Sequence, residues 1–313
     1  MRDKVIAQED SFELSRLDKI KAYLSKIKSE KNFDSQKLET KSFLDKICVS
    51  PPYFAFKDIY KFDNYLIAPV TLEQIMGFES SSITIGEAGR HFAILGSCAC
   101  SMSELQKKYY LVEKVHIRNE IQNFVKKGTT SYVVVRSSFD SKRIAGANGW
   151  LFNDELELNY SINLSYYKLS LEVFGKIFKR FYSDTSRFTG NPYKNYYDLE
   201  MLSENADGLT LTLNNNDNNI CFGHFEGFPS IPTAYLVYNI IHKCSDLILK
   251  KYNSENYIVE YANLDLKKLL FPKCTKIINV TYETKFNRTI FQVTILQDQE
   301  IASLVNFSIL TKA

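Results

Sequence analysis

Little in this chain of 313 residues points to a metal, a membrane or a nucleic acid. The six cysteines, Cys48, Cys98, Cys100, Cys221, Cys244 and Cys274, are scattered, with no CxxC pair and no zinc-ligand spacing, so no metal site is expected. No apolar signal segment follows Met1 and no apolar run is long enough to cross a bilayer; the expectation is a reduced, soluble, cytoplasmic protein without a membrane span. Glycosylation sequons such as Asn279-Val280-Thr281 carry no meaning in that compartment. Thirty-nine Lys plus Arg against thirty-six Asp plus Glu leave a net charge of +3, which offers no global attraction for nucleic acid and leaves only local patches for an acidic protein partner.

What the chain does have is a core. Hydrophobic residues make up 45% and aromatics 14%, and Tyr (20) and Phe (22) far outnumber the single Trp, a composition that favours strands in an ordered globular protein. The length suits two medium domains, so two similar halves are worth seeking.

Residues 10 to 31 read as an amphipathic helix. Asp10 and Glu13 have capping-box spacing, Leu14, Leu17, Leu24 and Ile27 mark one face, and Lys19, Lys21, Lys26, Lys28 and Lys31 form a solvated basic remainder. After Pro51-Pro52 comes a strand from Tyr65 to Val70, then a small-residue helix from Thr84 to Cys100 able to approach a sheet closely. Strands follow over 109–118, 130–138, 143–152 and 156–164. Lys168 to Tyr182 has the pattern of a second basic helix, and the polar stretch Ser183 to Asn195, with Gly190 and Pro192, suits a linker.

The second half repeats this order: strands near Leu199 and from Leu209 to Leu213, an Asn-rich turn over 214–219, a Gly- and Pro-containing loop, and a helix from Thr233 to about Lys250 with Val237, Ile240, Ile241, Cys244, Leu247 and Ile248 on one broad face. Three alternating strands close the chain. In them Ile278, Val280 and Tyr282, then Phe291, Val293 and Ile295, then Val305, Phe307 and Ile309 point the same way. The expected class is α+β, each half a curved antiparallel sheet wrapped around a long central helix. The expected organisation is an N-terminal helical extension (1–45), a first domain with a trailing helix (46–182), a linker (183–197) and a second domain (198–313).

One stretch carries chemistry: Gly223-His224-Phe225-Glu226-Gly227-Phe228-Pro229-Ser230-Ile231-Pro232. It resembles the GHFPGxPxxPG signature of the hotdog-fold 3-hydroxyacyl-acyl-carrier-protein dehydratases, departing at Glu226 and at Thr233, and the resemblance runs over roughly residues 198–313. With Pro232 at the first helical position, the amides of Thr233 and Ala234 stand free at the positive end of the helix, where they could hold a thioester carbonyl. An imidazole beside them, at His224, could remove the proton on the adjacent carbon. His116 and His242 read as structural.

The family pairs its His with a Glu fourteen residues later, supplied by the other subunit of a dimer; here that position is Tyr238. The first half resembles the same fold more weakly, in Pro51-Pro52-Tyr53-Phe54, in Ala68-Pro69-Val70-Thr71-Leu72, and in Ile85-Gly86-Glu87-Ala88 at the start of its helix, but its loop Gly77-Phe78-Glu79-Ser80-Ser81-Ser82 has no His. The resemblance therefore implies a fused double hotdog with one split site, His224 as base and protonated Glu87 as acid, needing no cofactor. Arg90 and His91, three and four residues after Glu87, could pair with it or support it, a contact worth about 0.2 to 0.5 kcal/mol on an exposed helix. Gly223, Phe225, Pro232 and Tyr238 complete the expected surroundings.

The activity so implied is 3-hydroxyacyl-thioester dehydration, a lyase reaction of fatty-acid or polyketide-like biosynthesis on acyl carrier protein or coenzyme A, with a homodimer of double hotdogs possible. Two alternatives stay open: a catalytically silent subunit that binds acyl thioesters or acts as a scaffold for another hotdog subunit, and an acyl-thioesterase.

Overall fold

Period-two alternation dominates the chain, and in a computed structural model these segments form one antiparallel sheet with two long helices packed on one face. The structure describes residues 2–29, 36–121, 130–183, 190–197, 199–213, 218–225 and 227–312. In chain order the elements are α1 (Arg2–Ser29), β1 (Lys37–Leu38), α2 (Thr40–Leu44), β2 (Ile59–Phe62), β3 (Tyr65–Thr71), α3 (Ile85–Ser101), β4 (Lys108–Asn119), β5 (Thr130–Asp140), β6 (Ile144–Phe152), β7 (Leu158–Ser170), α4 (Leu171–Ile177), β8 (Glu200–Asn205), β9 (Gly208–Thr212), α5 (Thr233–Tyr252), β10 (Tyr257–Leu266), β11 (Lys276–Lys285), β12 (Arg288–Gln297) and β13 (Glu300–Thr311). Among the described residues thirteen strands run in the order β1-β2-β3-β5-β6-β7-β4-β10-β13-β12-β11-β9-β8. The strands of each half therefore stay together, and the halves join edge to edge where β4 pairs with β10, Ile117 opposite Ala262 and Val115 opposite Leu264.

The inner face of this sheet and the two helices share one apolar core, in which Leu66, Val133, Leu151, Ile162, Val280, Val293 and Phe307 meet Phe92 and Leu95 of α3 and Ile240, Ile241 and Cys244 of α5. The three closing strands are in the expected phase, Ile278 opposite Ile295, Val280 opposite Val293, and Val293 opposite Val305. Thr84 caps α3, its side chain accepting the Glu87 amide at 3.1 Å. The small residues of α3 serve two neighbours. A methyl at Gly96 would meet Tyr166 Oη at 2.3 Å, on the sheet, whereas one at Gly86 would lie 2.5 Å from Tyr238 Cβ and 3.1 Å from the Ala234 carbonyl, on α5. Gly86 thus sets the closeness of the two helices. Gly86→Ala is expected to cost about 1–3 kcal/mol by forcing the helices apart, read as a lower midpoint in denaturant unfolding.

α1 lies on the opposite face of the sheet. Ile20, Tyr23 and Leu24 pack against Tyr65, Ile67, Tyr132, Val134, Trp150 and Phe152, while Lys19, Lys26 and Lys28 stay exposed and Lys28 pairs with Asp154 at 3.2 Å. The strands under α1 are therefore apolar on both faces.

Three expectations change. The basic stretch Lys168–Tyr182 is not one helix: β7 continues to Ser170, α4 has seven residues, and a single 3-10 turn follows over Lys179–Phe181. Ser170 caps α4, its side chain accepting from the Val173 amide. β10 has no counterpart in the sequence reading, because a bulge between Val259 and Tyr261 breaks its alternation. Pro232 is the N-cap of α5 rather than its first helical residue. The Asn-rich turn and Glu226 fall mostly or wholly outside the described residues. Among the described residues no helix is long and apolar enough to cross a membrane.

Candidate active site

The His224 loop is held by the other half of the chain. The Ser50 amide donates to the Gly223 carbonyl at 2.8 Å, and Val49 and His224 form an isolated antiparallel bridge. Gly223 has φ +80°, and a methyl there would sit 2.2 Å from the Ser50 carbonyl oxygen, so this close crossing requires glycine. Segment 49–53 and the loop thus fasten each other, and Tyr53 lies beside the imidazole with ring centroids 4.7 Å apart.

His224 Nδ1 is 2.8 Å from the Ser230 carbonyl oxygen and 3.0 Å from Ser230 Oγ. A carbonyl only accepts, so Nδ1 carries the proton and Nε2 keeps its lone pair. Burial opposes the imidazolium and pulls the His224 pKa down from 6.5 to about 4, with the Ser230 carbonyl pulling the other way. At neutral pH the ring is therefore a neutral base. The same shift has a stability consequence. The unfolded chain binds a proton near pH 6.5 and the folded chain refuses it until about pH 4, so this contribution is whole above pH 6.5 and is lost as pH falls toward 4. Between pH 6.5 and 4.5 the wild type is expected to lose on the order of 2 kcal/mol more than His224→Gln in denaturant unfolding, since His91 and His242, also held toward the neutral form by burial, keep their share in the variant.

A cavity of about 330 Å³ opens beside the imidazole. Its walls are α3 (Gly86, Gly89, Ala93), the first turn of α5 (Thr233, Ala234) and the paired strands β4 and β10, and they are overwhelmingly apolar. His224, Phe225 and Tyr53 line it, and Arg180, Lys267 and Lys268 also border it. In α5 the amides of Tyr235 and Leu236 turn back to the Pro232 carbonyl at 3.0 and 3.1 Å. Those of Thr233 and Ala234 remain the orphan donors of the first turn, at the cavity wall. His224 and the first turn of α5 thus border the same apolar cavity.

Glu87 sits elsewhere. It is fully buried, and its two carboxylate oxygens accept the backbone amides of Glu73 (2.8 Å) and Gln74 (3.0 Å). Arg90 lies 3.9 Å away and His91 Nε2 3.5 Å away, while the Arg90 guanidinium pairs with Glu73 at 2.5 Å. Burial alone would raise the Glu87 pKa, but His91, Arg90 and the Gln74 amide together hold it below the ordinary carboxylate value. The expected protonated acid is corrected on this point: the amides, the His91 ring and the Arg90 cation keep Glu87 ionised. Among the described residues no carboxylate lines the cavity, and Arg90 and His91 belong to the Glu87 cluster rather than to its wall.

The corresponding end of the helix pair, where α3 begins, is filled. Tyr238 donates to the Ile75 carbonyl at 2.7 Å and Tyr196 to the same oxygen at 3.1 Å, and Tyr196 stacks on Tyr238 and His242 at 5.1 and 3.6 Å. Glu79 covers the start of α3 by accepting the Ile85 amide at 2.9 Å, and burial raises its pKa to about 8. Tyr238 therefore belongs to the closed end, not to the His224 site. Sequence reasoning missed Tyr53 and Ser230. Ser230 lay within the motif and could have been found there; Tyr53 comes from the other half, with no local signal.

No protein-family model and no curated protein sequence matches the chain. Solved structures do resemble it. An acyl-CoA thioesterase II, TesB2, of Mycobacterium marinum is 10% identical with a TM-score of 0.51, covering 82% of this chain and 96% of its own. A Lactobacillus plantarum protein assigned as an oleoyl thioesterase is 10% identical with a TM-score of 0.55, covering 80% and 97%. The 12:0-ACP thioesterase of Umbellularia californica is 9% identical with a TM-score of 0.53, covering 80% and 99%. At such identity the likeness is one of fold, and the fold is the hotdog. The dehydratase expectation is overturned: these similar structures are thioesterases, and among the described residues no acid of the kind dehydration requires lines the cavity.

Proposed function

We propose that the chain is an acyl-thioester hydrolase, a double hotdog of two units (46–182 and 198–313) with its working site at the start of α5. The observation that carries the reading is His224, with Nδ1 committed to Ser230 and the other edge left for an apolar cavity beside the first amides of α5. The acyl chain would lie between α3 and β4/β10, with its carbonyl oxygen on the Thr233 and Ala234 amides. His224 Nε2 would take a proton from water as the hydroxide adds to the carbonyl carbon, and the amides would hold the resulting oxyanion. Collapse would break the carbon–sulfur bond, the thiolate leaving with the proton returned by His224. No carboxylate is needed as nucleophile in this scheme. Thioesterases of the same fold support the reading, and the Arg180 cation at the cavity suits a phosphate-bearing carrier, coenzyme A or acyl carrier protein, Lys267 and Lys268 beside it being paired with Asp265 and Glu300.

The test is direct. Acyl-CoA substrates of graded chain length should release free thiol with no change in enoyl absorbance. Enoyl absorbance changing without thiol release would overturn hydrolysis, and binding with neither signal would leave a thioester-binding subunit instead.

A further inference from the structure

On the face of the sheet away from α3 and α5, a row of side chains crosses the junction of the two halves. Asn148 of β6 is opposite Asn163 of β7, which is opposite His116 of β4, then Asn263 of β10, Asn306 of β13 and Gln292 of β12. Because directly opposed residues project to the same side, these groups form one line, and six strands at about 4.8 Å spacing make it roughly 24 Å long. They line a groove of about 690 Å³. At its first-half end lies Phe139, 46% exposed, on top of Gly146, where a methyl would come within 2.1 Å of the ring. Glycine thus lets an aromatic ring cover the strand while much of the ring stays open to solvent.

We infer that this groove binds a neutral, hydroxyl-rich chain, an oligosaccharide, with Phe139 as a stacking platform and the amide row as its hydrogen-bonding floor. Apart from Asn263, whose Oδ1 already meets His116 Nδ1, each Asn and Gln offers donors and an acceptor, which matches sugar hydroxyls, themselves both donor and acceptor. Charge is nearly absent: Lys114 and Asp265 face each other across the junction, and Asp265 is also held by Lys267 at 2.6 Å. That argues against a polyanion, whose binding rests on unpaired cations. Two covered acceptors in the groove, Asn306 Oδ1 and Asp265 Oδ1, have no hydrogen-bond partner among the described residues, an unmet demand of the kind a polar ligand or its waters satisfies. A second copy of the chain fits less well, because homodimer interfaces are apolar at their centre. Where this same face is covered by protein, under α1, it carries Ile67, Val134 and Trp150 instead of amides.

The experiment is calorimetric titration of the full chain with cellohexaose, maltohexaose and chitohexaose, each a neutral hexasaccharide. At least one is expected to bind. Phe139→Ala and the pair Asn163→Ala/Asn263→Ala should each weaken it by about tenfold or more, Phe139→Tyr should retain it, and thioester hydrolysis should be unchanged in all of them. The inference is overturned by the absence of heat from all three sugars at millimolar concentration. Binding that ignores both alanine variants overturns it too, as does light scattering that shows a dimer dissociated by Asn263→Arg, since the face would then belong to a second copy. The binding and scattering outcomes do not depend on the reading of the His224 site; only the hydrolysis control rests on it.

Discussion

Alanine at position 224 is expected to lower kcat/KM for thioester hydrolysis by about 10²- to 10⁴-fold, the usual contribution of a positioned general base. Binding of the thioester should survive, because the apolar walls and the α5 amides are untouched. Thiol release under kcat/KM conditions measures the first effect, and displacement of a fluorescent acyl-CoA measures the second. In the wild type the rate should be flat across neutral pH and fall only as pH drops through about 4, where His224 takes its proton. An acid limb centred near 6.5 would mean a solvated imidazole and would contradict the half-buried, Ser230-bound ring. Equal rates in wild type and His224→Ala would remove His224 from the chemistry.

Removing the Glu87 side chain should have its large effect on folding. Glu87→Ala leaves Arg90 buried with its Glu73 pair alone and strips two backbone amides of their acceptor, a loss of about 3–5 kcal/mol by analogy with broken buried ion pairs. Glu87→Gln, which keeps a carbonyl oxygen for one amide, should cost less. In both, hydrolysis per folded molecule should stay near wild type, because Glu87 does not line the cavity. Urea unfolding together with active-site-normalised rates separates these effects. Turnover falling sharply in Glu87→Gln at unchanged stability would restore a catalytic role. The pH dependence has a fixed sign: a carboxylate held below its ordinary 4.5 contributes stability above that pH, and the contribution is lost as pH falls through the lowered value.

Much of this was legible because the responsible forces are local. The alternation at Ile278, Val280, Phe291, Val293, Val305 and Phe307 states which face of each strand is buried before any partner is known, and these residues do line the core. The Gly-His-Phe loop and the proline before Thr233 likewise announce a base near a helix start. Glu87 shows the limit of such reading. A glutamate three residues into a helix looks the same in sequence whether it meets substrate or accepts two amides from the turn at Glu73 and Gln74; only the chain's path decides, and here the amides, with His91 and the Arg90 cation, keep it charged. β10 was hidden for a related reason, since its bulge erased the period that would have marked it.

The sequence by itself determined an α+β chain with two long helices and a histidine loop at the start of the second, because side-chain period and cap chemistry act within a few residues of one another. Tertiary structure alone decided that the halves share a single sheet through β4 and β10, that Tyr53 lies against His224, and that Tyr196 and Tyr238 fill the opposite end. Those outcomes rest on contacts between residues far apart in the chain, where packing and hydrogen-bond satisfaction, rather than local pattern, select the partner.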